Sequence, residues 1–244
     1  PRSTGVIQWM LNSAWPSLYW QMYDWYLVPT SAYWSVKKGC APQQLIYNYG
    51  NDKIYVVNDE RTDVDLKAAM RVYGLDGKVL IDAQCEVEMP MGCSKPVFDV
   101  MSIAGGDSPV KFVFLTLEDA SGKVVSRNEY VLADVMDKHD WRTQLESYAD
   151  FSALNDLAPA DVEASLVKTA EGLEVTLENK SSVVAFFIRF ALKDAAGEYI
   201  VPAYWNDNLV TLQPGQSLTF TCKAEVPEGA TVSVSGWNVA ESTL

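Results

Sequence analysis

Three residues near the start of the chain, Trp9, Asn12 and Trp15, carry side chains suited to holding a hydroxyl-bearing ring such as a sugar. An indole face stacks on the apolar C–H face of such a ring, and a carboxamide both donates to and accepts from hydroxyls. The alternative is that all three simply pack against neighbouring structure. A second candidate is the run Tyr204-Trp205-Asn206-Asp207-Asn208. Asn-Asp-Asn forms turns through local side-chain hydrogen bonds, which alone accounts for it. Its oxygens would also suit a hard cation or line the mouth of a site.

Other chemistry is sparse. His139 is the sole histidine, it stands beside Asp140, and it reads as a surface residue without a catalytic role. The cysteines, Cys40, Cys85, Cys93 and Cys222, form no CxxC pair, so no zinc site or other metal or cofactor is expected. Cys85 and Cys93 could pair across the turn Pro90-Met91-Gly92. Four separate, reduced, mostly buried thiols are the preferred reading. The strip GVIQWMLNSAWPSLYWQMYDWY, residues 5–26, holds four tryptophans and three tyrosines against a single carboxylate, Asp24. The later Asp and Glu residues fall in turns or at exposed strand positions, where solvated charge explains them. No catalytic carboxylate pair is found.

A length of 244 residues suggests about two domains, and 48% apolar with 21% charged residues is a globular composition. The net charge of −13 excludes a phosphate-binding surface, and no nucleic-acid partner is expected. Lys37-Lys38 is the one cluster of positive charge and reads as a solvated helix end. No run reaches the roughly 18 apolar residues that cross a membrane as a helix. Neither an initiator Met nor a signal peptide is visible, and the chain reads as a piece of something larger.

These residues need elements to hold them. Residues 5–11 (GVIQWML) read as a buried strand and 30–39 (TSAYWSVKKG) as a helix, capped by Thr30 or Ser31 and closed by Gly39. Together they make a βα unit over 1–41. Expected strands follow at 53–58, 64–73, 78–89, 96–103, 110–118 and 124–132, separated by turn signals such as Asp76-Gly77 and Ser121-Gly122. That is a sandwich over 42–134. Residues 135–160 read as an ordered linker whose Trp141, Tyr148 and Phe151 cover apolar surface. Strands at 161–168, 172–178, 183–193, 198–204, 209–212, 216–224 and 231–239 make an immunoglobulin-like sandwich over 161–244, with Trp237 and Phe186 or Phe187 in or near its core. The fold class is mainly β.

The run Trp9-Met10-Leu11-Asn12-Ser13-Ala14-Trp15-Pro16 resembles a segment near the end of the catalytic barrel in glycoside hydrolase family two. More narrowly, it looks like the branch of exo-β-D-glucosaminidases and mannosylglycoprotein endo-β-mannosidases. SYADFSALNDL (147–157), VAFFIR (184–189) and VPAYWNDNLVTLQPGQS (201–217) resemble the linker and last sandwich of that branch. The resemblance implies that 1–41 is the last βα unit of a (β/α)8 barrel and that two immunoglobulin-like sandwiches follow. It implies a retaining exo-acting parent that cleaves β-glucosaminides or β-mannosides, periplasmic or secreted. Its partners would be carbohydrate and the rest of the parent chain, with no membrane and no cofactor. Trp9, Asn12 and Trp15 would then contact substrate at the C-terminal end of a barrel strand. The catalytic glutamates would lie upstream, leaving this chain inert. A non-catalytic carbohydrate-binding module or a structural spacer is the alternative, and the orphan βα unit argues against it.

Overall fold

The structure is a computed structural model that describes residues 5–17, 20–100, 108–135, 137–140 and 144–244. Seven strands build a first sandwich: β1 (Gln43–Asn48), β2 (Lys53–Asn58), β3 (Val64–Gly74), β4 (Val79–Met89), β5 (Cys93–Asp99), β6 (Val110–Asp119) and β7 (Val124–Ala133). They form two antiparallel sheets, ordered β1-β2-β5 and β4-β3-β6-β7. Alternate residues of a strand face opposite ways, so β2 sends Ile54 and Val56 inward to meet Leu66, Ala68, Met70 and Val72 of β3. β6 is different, because it is buried on both faces. Val113, Leu115 and Leu117 fill the first sandwich, while Val110, Phe112 and Phe114 face away from it into a second cluster. A continuous apolar run is what a strand needs when water reaches neither face.

After β8 (Lys138–Asp140) and β9 (Gln144–Ser147), a two-stranded ladder, and a short 3-10 turn at Ser152–Asp156, the second sandwich begins. Its strands are β10 (Val162–Thr169), β11 (Gly172–Asn179), β12 (Ala185–Lys193), β13 (Tyr204–Trp205), β14 (Val210–Leu212), β15 (Ser217–Lys223), β16 (Thr231–Ser235) and β17 (Ser242–Thr243). The sheets run β10-β11-β15-β13 and β14-β12-β16-β17. The two sandwiches touch through Phe112, Phe114 and Tyr73 on one side and Val184 and Phe186 on the other, with Leu154 and Leu157 between them. Gly77 sits at this seam with φ +79°, and a Cβ there would stand 1.9 Å from the carbonyl oxygen of Ser182. Only glycine fits so close an approach of two backbones.

Several expectations need correction. Residues 5–11 form no strand, since the hydrogen bond from Tyr23 N to Leu11 O is local and no ladder partner lies alongside among the described residues. β1 was hidden by its polar start, Gln43-Gln44. The strand expected at 198–204 reduces to a bridge between Lys193 and Tyr199 and the two residues of β13. Trp237 is 55% exposed, and its indole N–H donates to Leu154 O at 2.8 Å, so it tethers the linker instead of filling the core. Phe186 belongs to the seam between sandwiches, and Phe187 is pushed outward at φ +56° by the bulge between Ala185 and Ile188. Within the second sandwich's own strands the core tryptophan is Trp205, edge-on to Phe190 at 4.6 Å. Among the described residues of the linker Leu154, Leu157 and Ala160 are buried while Tyr148 and Phe151 are exposed; Trp141 lies outside the described residues, as do 101–103 of the expected 96–103 strand. The four thiols are unpaired, but Cys40 and Cys93 are exposed. Only Cys222 is fully buried, and burial pushes its thiol up to about 11.

Candidate functional site

The site is built around α1 (Ser31–Gly39), which forms as the sequence suggests. Its capping differs. Thr30 takes the extended N-cap conformation, but its hydroxyl donates backward to Gln21 O at 2.6 Å instead of capping the helix. At the far end Gly39 adopts no left-handed turn; its carbonyl accepts from the Gln44 side chain at 2.6 Å. Trp34 is the buried residue of the helix, and it is a member of the second sandwich's core, with Tyr33 packed beside it.

Lys37 and Lys38 are not a solvated end. The Lys37 ammonium donates to Trp205 O (3.2 Å) and Asn206 O (2.8 Å) and lies 5.1 Å from the Trp34 ring. Burial lowers its pKa, against the pull of Asp207. Lys38 reaches Glu129 of β7 at 2.8 Å and Asp207 at 3.3 Å, one partner from each sandwich. Burial works against its charge, but Glu129 and Asp207 together outweigh burial and hold the ammonium above the usual lysine range.

The opening segment folds back on α1 through its own turns. Asp24 accepts from the backbone N–H of Tyr26 (2.8 Å) and Val28 (2.9 Å), and Leu27 takes φ +62°. The single carboxylate of the strip is therefore a turn-former. Tyr23 bridges to Pro29, and its ring stands 5.2 Å from that of Tyr33.

Between this segment and the second sandwich lies a groove of about 630 Å³. It brings the two sequence candidates partly together. Asn12 lines it from the opening segment, and Trp205 and Asn208 line it from the loop, with Tyr204 at the rim. Trp9 and Trp15 do not reach it; they are 72% and 69% exposed. Asn206 and Asp207 face a smaller cleft beside Lys38 and Glu129.

The loop's polar atoms are largely committed. Asn206 Oδ1 accepts from Asp207 N (3.0 Å) and Thr221 N (2.9 Å). Asp207 accepts from Asn208 N at 2.9 Å as well as pairing with Lys38. Asn208 is buried, accepts from Phe190 N (3.1 Å) and Leu209 N (2.8 Å), and donates to Phe190 O at 2.7 Å. It stands in for a strand partner just past the last β12–β14 pair, Ile188 with Val210. No cluster of three or more His, Cys, Asp or Glu that could hold a metal occurs among the described residues.

The sequence reading missed Tyr23 and Tyr33 as groove residues, and also Arg189 and Tyr199. The last pair was accessible in principle. The turn at Ala196-Gly197 sets Lys193 opposite Tyr199, and β12 alternation puts Arg189 on the same face as Lys193. The Arg189 guanidinium lies 5.1 Å from the Tyr199 ring centroid and the Lys193 ammonium 5.7 Å. Among the described residues, no Asp or Glu lines the groove.

Comparison with known proteins gives two family matches in succession. The family described as "Mannosidase Ig/CBM-like domain" matches residues 50–137, and "Exo-beta-D-glucosaminidase Ig-fold domain" matches residues 141–239, which takes in most of the segment read as linker. The exo-β-D-glucosaminidase of Hypocrea virens is 33% identical over 99% of this chain and 29% of its own length. The mannosylglycoprotein endo-β-mannosidase of Lilium longiflorum is 24% identical over 98% of the chain and 31% of its own. Among solved structures, the exo-chitosanase of Amycolatopsis orientalis superposes with a TM-score of 0.89 at 33% identity, over 99% of this chain and 31% of that one. The chain thus spans under a third of the length of these relatives.

Proposed function

Because this chain carries the immunoglobulin-like domains of the glycoside hydrolase family two exo-β-D-glucosaminidases, we infer that it is the non-catalytic C-terminal arm of a longer exo-acting β-glycosidase. That enzyme would hydrolyse β-linked glucosaminides or mannosides with retention. The observation that carries the reading is the reach of the likeness. One-third identity extends over 99% of the chain, so it takes in the aromatic opening segment as well as the sandwiches. A free-standing pair of sandwiches has no use for such a segment, whereas a barrel ends in one.

Retention requires two carboxyl groups about 5 Å apart, one as nucleophile and one as acid/base. The only carboxylate of the described opening segment accepts two backbone hydrogen bonds in its own turn, and none of the described residues lining the groove is a carboxylate. Chemistry would therefore come from the rest of the enzyme, and this arm would hold that part in place. We assign 1–41 to the barrel's last βα unit, 42–134 and 161–244 to the sandwiches and 135–160 to the connection. Trp9, Asn12 and Trp15 would stand at the barrel's mouth, where the exposure of both indoles leaves them free to meet sugar or barrel. Carbohydrate and the remaining chain are then the partners, and export from the cell follows the substrate. No helix among the described residues is long and apolar enough to cross a membrane.

The test is an assay of the 244-residue chain on chromogenic β-glucosaminide, β-mannoside and β-galactoside. Background rates are expected from this chain, and turnover once the rest of the reading frame is restored. Turnover by the 244 residues alone, lost on substituting one of their own Asp or Glu residues, would overturn the reading.

A further inference from the structure

The groove between the opening segment and the second sandwich has the makings of a binding site in its own right. Its volume, about 630 Å³, falls in the range of sites that enclose one small ligand. Three phenols converge on it. The rings of Tyr23 and Tyr33 stand 5.2 Å apart, and Tyr23 is raised by burial, with Tyr33 and Tyr204 adding to the shift. Tyr204 is 67% exposed and offers a ring at the rim. Asn12 adds a carboxamide. The Arg189 guanidinium lies 5.1 Å from the Tyr199 ring centroid, a cation–π contact that holds it at the groove while its N–H groups can still reach a ligand.

The charge is as informative as the shape. In a chain of net charge −13, the described residues that line this groove include two cations, Arg189 and Lys37, and no carboxylate. A protonated amine entering it would meet like charge and find no counter-ion. An uncharged ring with hydroxyls and carbonyl acceptors would find donors, aromatic faces and no repulsion.

We propose that this groove binds an uncharged sugar residue: Tyr204 supplies the stacking face, and Arg189, Asn12 and the phenols of Tyr23 and Tyr33 supply the hydrogen bonds. The proposal goes beyond the hydrolytic reading and does not need it, since binding is measured on the 244-residue chain whether or not a longer enzyme turns over.

The experiment compares two ligands that share one skeleton and differ in charge: a β-linked N-acetylglucosamine oligomer and its de-N-acetylated counterpart at neutral pH. Binding is followed by calorimetry and by indole fluorescence, because Trp34 and Trp205 line the groove. Saturable binding of the acetylated oligomer is expected, at least ten-fold tighter than that of the amine. Tyr204→Ala should weaken it at least ten-fold with an unchanged urea midpoint, as an exposed ring contributes little to folding; Arg189→Gln should do the same. If Arg189→Gln does not fold, Tyr204→Ala decides alone. The proposal is overturned by no saturable binding of the acetylated oligomer, or by equal or tighter binding of the amine. It is equally overturned if binding survives Tyr204→Ala, or if sedimentation shows a dimer that this substitution dissolves, which would make the groove a contact between copies.

Discussion

Tyr47 donates its phenol proton to Asp52 and packs edge-on against Tyr49 at 4.6 Å and Tyr130 at 5.7 Å. Burial, then the bond to Asp52, pushes its pKa far above the ordinary 10.0, and burial raises Tyr49, Tyr130 and Tyr23 in the same direction. A pKa raised by folding means stability that is complete below the unfolded value and is lost as pH climbs through the folded one. For these tyrosines the loss begins near pH 10.0, and Lys38, raised from 10.5, adds to it. Urea midpoints followed from neutrality into the alkaline range should be flat and then fall steeply, and Tyr47→Phe should make the fall shallower. An equal slope in the variant would rule out this cluster as the cause. Asn208→Ala strands both the N–H and the C=O of Phe190 and should cost about 2–4 kcal/mol. Asn206→Ala, at an exposed position, should cost no more than about 1 kcal/mol. Turn chemistry was readable in Asn-Asp-Asn. Which Asn reaches inward was not, because that depends on Phe190 of β12, 18 residues away.

Among the elements, α1 shows both what the sequence revealed and what it hid. Its ends could be read from Thr30 and the paired lysines, but the destination of those lysines could not, since Glu129 and Asp207 lie 91 and 169 residues further on. The strands with clear alternation or an apolar run, β2, β6, β12 and β15, were legible; β1 and β17, short or polar at their ends, were not. Lys38→Ala removes a side chain that pairs with both sandwiches and should lower stability by about 1–2 kcal/mol, less at high salt. Gly77→Ala acts at the other contact. Its Cβ would collide with Ser182 O, so the seam must open before the substitution fits. Calorimetry should show one heat transition in the parent chain and two in Gly77→Ala. A single transition in the variant would show that the seam does not couple the sandwiches.

At the scale of the whole molecule, the opening strip stays open to water. Trp9, Trp15, Trp20 and Trp25 are all exposed, as are Val6, Ile7 and Leu11. Their composition suggests burial either against the first sandwich or against a second copy, and the first does not occur within this chain. A contiguous apolar surface of this kind marks a contact site. With about 25 cal/mol per Å² available, several rings give ample drive for association. The isolated chain should therefore self-associate with rising concentration and bind an apolar dye, and Trp9→Ser with Trp15→Ser should reduce both. A dilution series by sedimentation that shows one monomer throughout, with no dye uptake, would contradict this.

Trp34 lies among the core side chains of a sandwich whose strands begin at Val162. On the ribosome the helix emerges first and its socket, closed by Trp205 and Phe220, only after some 170 further residues, about 10–30 s later at usual rates of synthesis. Through that interval the indole has no home, and a nascent chain halted after the first sandwich would display it to chaperones. Expressed without the helix, the second sandwich would carry a hole where the indole belongs. Its folding unit is thus not a continuous stretch of the gene, and a fragment trimmed to 161–244 should fold only when a peptide spanning α1 is supplied in trans.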